Sequence, residues 1–210
     1  MLAKYRLWLI MAIIVLIAGI YYFWVITAPW RIMRKFVYAV EKEDITTIVA
    51  LAVPEERKYC GVTEQSVKTI LSVTLGKWRP FKAVRIGKVS WEVVPLYKEL
   101  GWHRWFVVWG EAVTGKPIPF HSTGRGYPPY GIHMPQLFTE VTVCPTDEGY
   151  RVVVTEFLIQ LSYGVHGSKY LALLHHAGIK GQVTALTKPG EFEPFVYPKT
   201  KMRRGGNDQP

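Results

Sequence analysis

The hydrophobic and polar positions of this chain form three successive regions: one long apolar run, a region of helical periodicity and a region rich in aromatic and β-branched residues. Residues 7–28 include no charged side chain. As an α-helix, this run would be roughly 33 Å long at about 1.5 Å per residue. The hydrocarbon core of a bilayer is about 30 Å thick. The run therefore predicts a transmembrane helix near the N-terminus.

A cleaved signal peptide is the competing interpretation of residues 7–28. Lys4 and Arg6 resemble the basic head of a signal peptide, but its apolar region is usually only about 7–15 residues long. Cleavage after Ala28 would place Pro29 directly beyond the cut. Aromatic residues stand at both ends of the run, as they do at membrane interfaces: Tyr5, Trp8, Tyr21, Tyr22, Phe23, Trp24 and Trp30. These features favour an anchor that stays attached.

Helical spacing of apolar residues follows the anchor in three segments. Pro29 is suited to the first turn of the first helix. Asp44 is placed to cap a short second helix that ends before Pro54. Thr63 is placed to cap a third helix, and Gly76 stands where a left-handed glycine commonly ends one. The pattern thus predicts three amphipathic helices.

Aromatic and β-branched residues dominate after Gly76 and favour strands. The predicted strands lie at about 81–94, 104–114, 137–145 and 150–163. Residues 146–149 have the composition of a hairpin turn between the last two strands. Residues 168–177 predict a further helix that ends at Gly178. The segment after Pro189 is rich in Pro, Gly and charged residues, which indicates an extended and then disordered tail.

This order of elements predicts an α+β fold, with three helices packed on a curved antiparallel sheet. The predicted organisation is a transmembrane anchor over 1–28, one α+β domain over 29–188 and a basic tail over 189–210. About 160 residues are enough for one domain with a proper core.

Residues 36–51 read FVYAVEKEDITTIVAL and resemble the opening of NTF2-like (cystatin-like cone) domains. In that superfamily a first helix of the form F-x-x-A-x-x-x-x-D leads into a short helix that closes a cone. The resemblance extends over residues 30–163, and the chain departs from it in loop 115–135, the C-terminal helix and the tail. Membrane-anchored members often serve as assembly modules, including subunits of secretion machines. The resemblance therefore implies a cone-shaped domain and a non-catalytic role in a membrane-associated complex.

The net charge of +10 is divided between the domain and the two ends of the chain. Basic residues at the ends can meet anionic lipid headgroups. No strand or helix gathers Lys and Arg into a stripe, so nucleic acid is not an expected partner. A protein partner or a second copy of the chain is expected instead.

The expected location is the cell membrane, with a single membrane span. The side on which the domain lies is left open by the charges. The basic residues after the span favour a cytoplasmic domain, whereas a short basic head before an apolar run is typical of exported single-pass proteins. The second feature is given more weight, and the domain is expected on the extracytoplasmic side.

Cysteine and histidine spacing predicts neither a metal site nor a cofactor. Cys60 and Cys144 lack the spacing of zinc or thioredoxin-like sites and are expected to be buried thiols, although they would be able to pair in an oxidising compartment. His175 and His176 are adjacent on a predicted helix, where their side chains point about 100° apart. They are therefore poorly placed to share an ion with His166.

Loop 115–135 is the leading candidate for a partner-binding surface. It contains four Gly and five Pro without a periodic pattern, and loops of this length tend to be functional or disordered. A proline-stiffened loop packed over the sheet is the alternative. The candidate partner-binding residues are His121, Arg125, Tyr127, Tyr130 and His133 in the loop, with Trp102 and Trp105 at a predicted turn.

Glu111 and Glu156 are the candidates for catalysis, because a carboxyl in an apolar strand can acquire the raised pKa of a general base. An ion pair with Arg85 or Arg104 is the alternative role. Enzymes of the cone superfamily that abstract protons usually have Asp or His inside the cone. The aspartates of this chain lie instead in a cap, a turn and the tail: Asp44, Asp147 and Asp208. A non-catalytic module is therefore favoured over a small-ligand binder or an isomerase- or dehydratase-like enzyme with an apolar cone pocket.

Overall fold

The structure is a computed structural model that describes residues 2–89, 98–120, 136–184 and 191–195. The chain is α+β, as predicted, with helices before and after a four-stranded antiparallel sheet. The helices are α1 (Leu2–Tyr21), α2 (Ala28–Glu41), α3 (Ile45–Leu51), α4 (Glu64–Leu75), α5 (Val154–His166) and α6 (Tyr170–His176). The strands are β1 (Phe81–Lys88), β2 (His103–Glu111), β3 (Phe138–Thr146), β4 (Gly149–Val152), β5 (Gly181–Thr184) and β6 (Glu191–Pro194).

The N-terminal apolar run is a helix that lies outside the domain core. Residues Trp8–Ile26 have a mean hydropathy of 2.6, and none of this segment is buried. It comprises most of α1 and one π-helical turn, Tyr22–Ile26. The helix is long and apolar enough to cross a membrane, a property that a signal sequence shares.

The next three helices begin where the sequence predicts. Pro29 lies in the first turn of α2. Asp44 caps α3, because its Oδ1 accepts a hydrogen bond from Thr47 N at 3.1 Å. Thr63 and Ser66 form a capping box at the start of α4, with each side chain accepting from the other residue's backbone N–H. These caps use residues three positions apart, which is why the local sequence reveals them.

The prediction of a left-handed glycine at the end of α4 is wrong. Gly76 has a φ of −55°, and the chain continues through a 3₁₀ turn, Gly76–Trp78. It then leaves the turn through Arg79, whose backbone is extended, so no left-handed residue is needed. Gly178 does end α6 as predicted, with a φ of +83°.

The sheet has the strand order β1-β2-β3-β4. The first three predicted strands are confirmed with altered bounds, although residues 90–94 of the first lie outside the described part of the chain. The predicted hairpin turn is also confirmed, with Thr146 opposite Gly149. Phe106 stands opposite Gly87 on one side and Glu140 on the other. A register shift between Ala83 and Arg85 interrupts β1.

The predicted strand 150–163 is wrong beyond Val152, because Val154 begins helix α5. Seven of the ten residues of 152–161 are apolar, and such a run fits a buried helix as well as a buried strand. Glu56, which is distant in sequence but close in the fold, favours the helix. Its carboxyl group accepts hydrogen bonds from Val154 N at 2.7 Å and Thr155 N at 2.8 Å, the free donors at the start of a helix.

Helix α5 covers the edge of β3 that β4 is too short to pair. Strand β4 pairs with β3 only from Val143 to Thr146. Beyond that point, Val153 N donates to Thr142 O at 2.9 Å, and the Gln160 side chain accepts a hydrogen bond from Glu140 N. Exposed strand edges tend to pair with other chains, and covering them with a helix prevents this.

Aromatic side chains fill the space between the helices and one face of the sheet. Trp109 from β2, Phe36 from α2 and Phe157 from α5 are completely buried. The ring of Phe157 lies 5.1 Å from that of Phe36 and 6.0 Å from that of Trp109, measured between centroids. This face of the sheet is therefore a packed core, and the opposite face carries the charged groups described next.

Candidate functional site

Arg104 is the centre of a buried charged cluster on the second face of the sheet. It lies near the start of β2, and only 9 % of its surface is exposed. Strand alternation directs Arg104, Phe106 and Val108 to the face opposite Trp105 and Trp109. An arginine in this position needs anionic partners, because burying an unpaired charge is very costly.

Two carboxylates from different elements supply these partners. Nη1 of Arg104 lies 3.1 Å from Oε2 of Glu140 on β3, and Nη2 lies 2.6 Å from Oε1 of Glu156 on α5. Thr142 Oγ1 donates to Glu156 Oε2 at 2.6 Å. Gln160 Nε2 donates to Glu140 Oε2 at 3.2 Å. Each carboxylate therefore has a hydrogen-bond donor besides the arginine among the described residues. We refer to Arg104, Glu140, Thr142, Glu156 and Gln160 as the Arg104 cluster.

The two glutamates of the Arg104 cluster differ in exposure. The Glu140 side chain is 5 % exposed, whereas that of Glu156 is 22 % exposed. Burial raises the pKa of Glu140 to about 7, even though Arg104 acts to lower it and Glu156 raises it further. Because burial is the largest cause, the Glu140 carboxyl is able to bind or release a proton near neutral pH. Such a carboxyl has the pKa that general acid–base catalysis requires.

Aromatic residues lie beside the Arg104 cluster on the same face. Phe106 packs over Gly87, where a Cβ atom would come within 2.2 Å of the ring. The guanidinium carbon of Arg85 lies 5.5 Å from the centroid of Phe106. Phe120 stacks on Phe138 at 6.4 Å. This face therefore combines a buried ion cluster with an aromatic surface.

Glu56 is a second buried carboxyl, and its role is to cap α5. It is completely buried at the start of a π-helical turn, Glu56–Cys60. Besides the two backbone donors, its carboxyl accepts a hydrogen bond from Thr155 Oγ1. Burial raises the pKa of Glu56 to about 7, against the lowering effect of these hydrogen bonds. Every hydrogen bond of this carboxyl described here is structural, which separates Glu56 from the Arg104 cluster.

The two catalytic candidates, Glu111 and Glu156, differ in their surroundings and in their hydrogen-bond partners. Glu111 lies at the end of β2, is partly exposed, and accepts a hydrogen bond from Thr114 Oγ1 at 2.7 Å. Glu156 belongs to the Arg104 cluster, where it has the ion pair that the sequence offers as its alternative role. Arg85, the other proposed partner, contacts Phe106 instead.

The candidate partner-binding residues divide into two groups. Trp102 and Trp105 are buried, and the ring of Trp105 lies 6.1 Å from that of Trp30 and 5.9 Å from that of His103. The five loop candidates lie outside the described residues: His121, Arg125, Tyr127, Tyr130 and His133.

Sequence reasoning missed Glu140 and Glu56, for different reasons. Glu140 stands in FTEVTVC, a run of β-forming residues, and so gives the same signal that marked Glu111. It was identifiable from the sequence by that criterion. Glu56 stands in the charged segment EERK, which reads as a solvated surface. Its burial depends on α5, which lies about a hundred residues further along the chain.

Cys60 and Cys144 are free, buried thiols, and burial raises the pKa of each to about 12. They are therefore poor nucleophiles at neutral pH. Among the described residues, no group of three His, Cys, Asp or Glu side chains is placed to hold a metal ion.

Comparison with family models, curated proteins and solved structures finds no match to this chain.

Proposed function

We propose that this protein is anchored in a membrane by a single N-terminal helix and that its α+β domain acts as a non-catalytic binding or assembly module. The observation that carries the proposal is the exposed apolar helix Trp8–Ile26, which contributes nothing to the core of the domain. An apolar surface of this length in water would be strongly unfavourable, and a bilayer removes that cost.

The join between the helix and the domain supports a retained anchor. Thr27 alone separates the π-helical turn from α2, and Thr27 N donates to Tyr22 O at 3.2 Å. Arg31 reaches back from α2 and donates through Nη2 to Trp24 O at 3.0 Å, with its guanidinium carbon 4.9 Å from the Phe23 and Trp24 rings. Cleavage after Ala28 would remove these contacts and the first residue of α2.

An NTF2-like cone is part of the proposal. It is supported by the sequence of residues 36–51 and by the order of α2, α3 and α4 before the antiparallel sheet. The aromatic packing around Trp109 supports a non-catalytic role, because it occupies space that a ligand would need. By this proposal the domain faces the extracytoplasmic side and binds a protein partner or a second copy of the chain, within a membrane-associated complex.

Affinity capture of the full chain from membranes in a mild detergent tests the assembly role. We expect a defined set of proteins, or a homo-oligomer, to be captured with the chain. The variant His121→Ala/Arg125→Ala/His133→Ala should lose these partners if the loop binds them. The variant Lys58→Ala/Lys68→Ala, which alters exposed residues elsewhere, is the matched control. Capture of a monomer with a bound small molecule would contradict the proposal.

A small-ligand binder or an isomerase- or dehydratase-like enzyme is the second candidate, and the Arg104 cluster is the observation that favours it. Glu140 would hold the proton near neutral pH, and the more exposed Glu156 would face a ligand. Native mass spectrometry of the chain and of its Glu140→Gln variant tests this. A bound small molecule that the variant loses would favour a ligand site.

A further inference from the structure

The outer face of α2 has an unusual composition immediately beyond the proposed membrane span. Residues 28–35 include three basic residues and no acidic one. Trp30, Arg34 and Lys35 are exposed, whereas Met33 and Phe36 on the other face are completely buried in the core. The helix therefore presents an aromatic and basic surface, which we call the α2 collar, defined as Trp30, Arg34 and Lys35.

Trp30 contacts one residue of the domain core and one residue of its own helix. The residue is 43 % exposed, and its ring lies 6.1 Å from that of the buried Trp105. The guanidinium carbon of Arg34 lies 5.9 Å from the Trp30 ring. Trp30 is thus tied to the folded domain while part of its surface remains open. Tryptophan is the residue type enriched at the depth of lipid headgroups.

Arg34 and Lys35 differ from Arg31 in how they are used. Arg31 contacts the end of the apolar helix: it donates a hydrogen bond to Trp24 O, and its guanidinium lies over the rings of Phe23 and Trp24. The ion pairs found in the described part of the chain involve other arginines, namely Arg57, Arg79, Arg104 and Arg151. Among the described side chains, Arg34 and Lys35 therefore form no ion pair at salt-bridge distance, although Lys35 adds to the hydrogen bonds from Thr47 in lowering the pKa of the exposed Asp44.

The α2 collar lies at the height where headgroups begin. Arg34 and Lys35 follow Ile26 by eight and nine residues, which is about 12–14 Å along a helix. Side chains on a helix point back toward its N-terminus, and long basic side chains extend toward the membrane surface. The headgroup region of one leaflet is roughly 5–8 Å thick. Both cationic groups can therefore reach it without any bend between α1 and α2.

We propose that the α2 collar binds the headgroups of anionic phospholipids and so fixes the domain against the membrane surface. This inference rests on the proposed function, because it requires the apolar helix to lie in a bilayer. Charge complementarity and continuity with the proposed span favour lipid phosphates as the occupant, because Arg34 and Lys35 follow directly on the apolar helix and anionic headgroups attract basic residues at that position.

Lipid selectivity of the full chain tests the proposal. The chain is reconstituted in phosphatidylcholine vesicles that contain either spin-labelled phosphatidylglycerol or spin-labelled phosphatidylcholine, and the motionally restricted fraction of each label is measured. We expect preference for phosphatidylglycerol in the natural chain and a decrease of roughly threefold or more in Arg34→Gln/Lys35→Gln. At about 1 M salt, where the Debye length is about 3 Å, the natural chain should lose most of its preference.

The control removes the same charge elsewhere. Lys58→Gln/Lys68→Gln alters exposed residues of the π-helical turn and α4 and should leave the lipid preference unchanged. Equal preference in the natural chain and in Arg34→Gln/Lys35→Gln would overturn the proposal while leaving the anchor intact. If that variant instead lost a captured acidic protein at unchanged lipid preference, the collar would be a protein site, and the proposal would again be overturned. Failure of the natural chain to insert into vesicles would overturn the proposed function itself.

Discussion

Glu56 and Glu140 place ionisable groups where a core ordinarily has apolar side chains. Both carboxyls have a pKa raised to about 7, with burial as the largest cause. The two residues nevertheless serve different purposes. Glu56 completes the start of a helix, whereas Glu140 shares one arginine with Glu156.

The raised pKa of Glu56 predicts a loss of stability as pH rises. Its folded-state pKa lies above its ordinary value of 4.5, so its contribution to folding is complete below pH 4.5 and is lost as pH rises through about 7. The full effect corresponds to roughly 3 kcal/mol. We expect thermal unfolding of the full chain in detergent to show a Tm that falls between pH 4.5 and 8 by more than in Glu56→Gln.

Glu55→Gln is the control for this measurement, because Glu55 is the exposed neighbour of Glu56. Its unfolding should keep the pH dependence of the natural chain. His103 and His166 act in the opposite sense, since burial lowers the pKa of each and their contribution grows as pH rises toward 6.5. The difference between the natural chain and Glu56→Gln removes this background. The same slope in both proteins would contradict the assignment.

Removal of Arg104 should be far more damaging than removal of a surface arginine. Arg104→Met leaves Glu140 and Glu156 without their cation in a buried setting, which is expected to cost about 3–5 kcal/mol. Arg57→Met removes an exposed ion pair with Glu148, which is expected to cost about 0–1 kcal/mol. Denaturant unfolding of both variants measures the difference. Similar losses would show that the Arg104 cluster is not a coupled unit.

Helix α5 shows, at the scale of elements, where local patterns fail. The caps of α3 and α4 lie within four residues of sequence, and the pattern predicts them correctly. Segment 154–163 is apolar on both faces, so its periodicity fits two structures. The choice is made by Glu56 and by the uncovered edge of β3, neither of which is local. The sequence does not predict the Arg104 cluster for the same reason, because Glu156 reaches Arg104 only when α5 is a helix.

Alanine substitutions at two glycines test the local packing and backbone geometry, because they should change stability in opposite directions. Gly87 on β1 lies under Phe106, and an added Cβ would come within 2.2 Å of the ring. Gly76 has a helical φ, and its added Cβ would meet only Ser72 Oγ at 3.8 Å. Gly87→Ala should therefore cost about 1–3 kcal/mol. Gly76→Ala should stabilise the chain by about 0.4–1 kcal/mol.

Chemical denaturation of the two alanine variants measures these opposite changes in the free energy of unfolding. The natural chain should lie between them in its midpoint of unfolding. A neutral Gly87→Ala variant would mean that Phe106 is free to move away from β1. The close packing of this ring on the strand would then not be a fixed part of the sheet.

At the scale of the whole molecule, composition and periodicity predict the α+β class and the exposed apolar helix, because both depend on long segments. They do not predict how the ends of those segments are joined. The connection through Thr27 and Arg31 becomes visible only when the π-helical turn and α2 are seen together. This connection joins the apolar helix directly to the domain, and by our proposal it would place the α2 collar at the membrane surface.

The most direct measurement is the fate of the first thirty residues in the mature protein. Membranes that contain the chain are washed with alkaline carbonate, and the protein in each fraction is analysed by intact-mass and peptide mass spectrometry. We expect the chain to stay in the membrane pellet and still to carry residues 7–28. A mature chain that begins at or after Pro29, or that is released into the supernatant, would contradict this expectation.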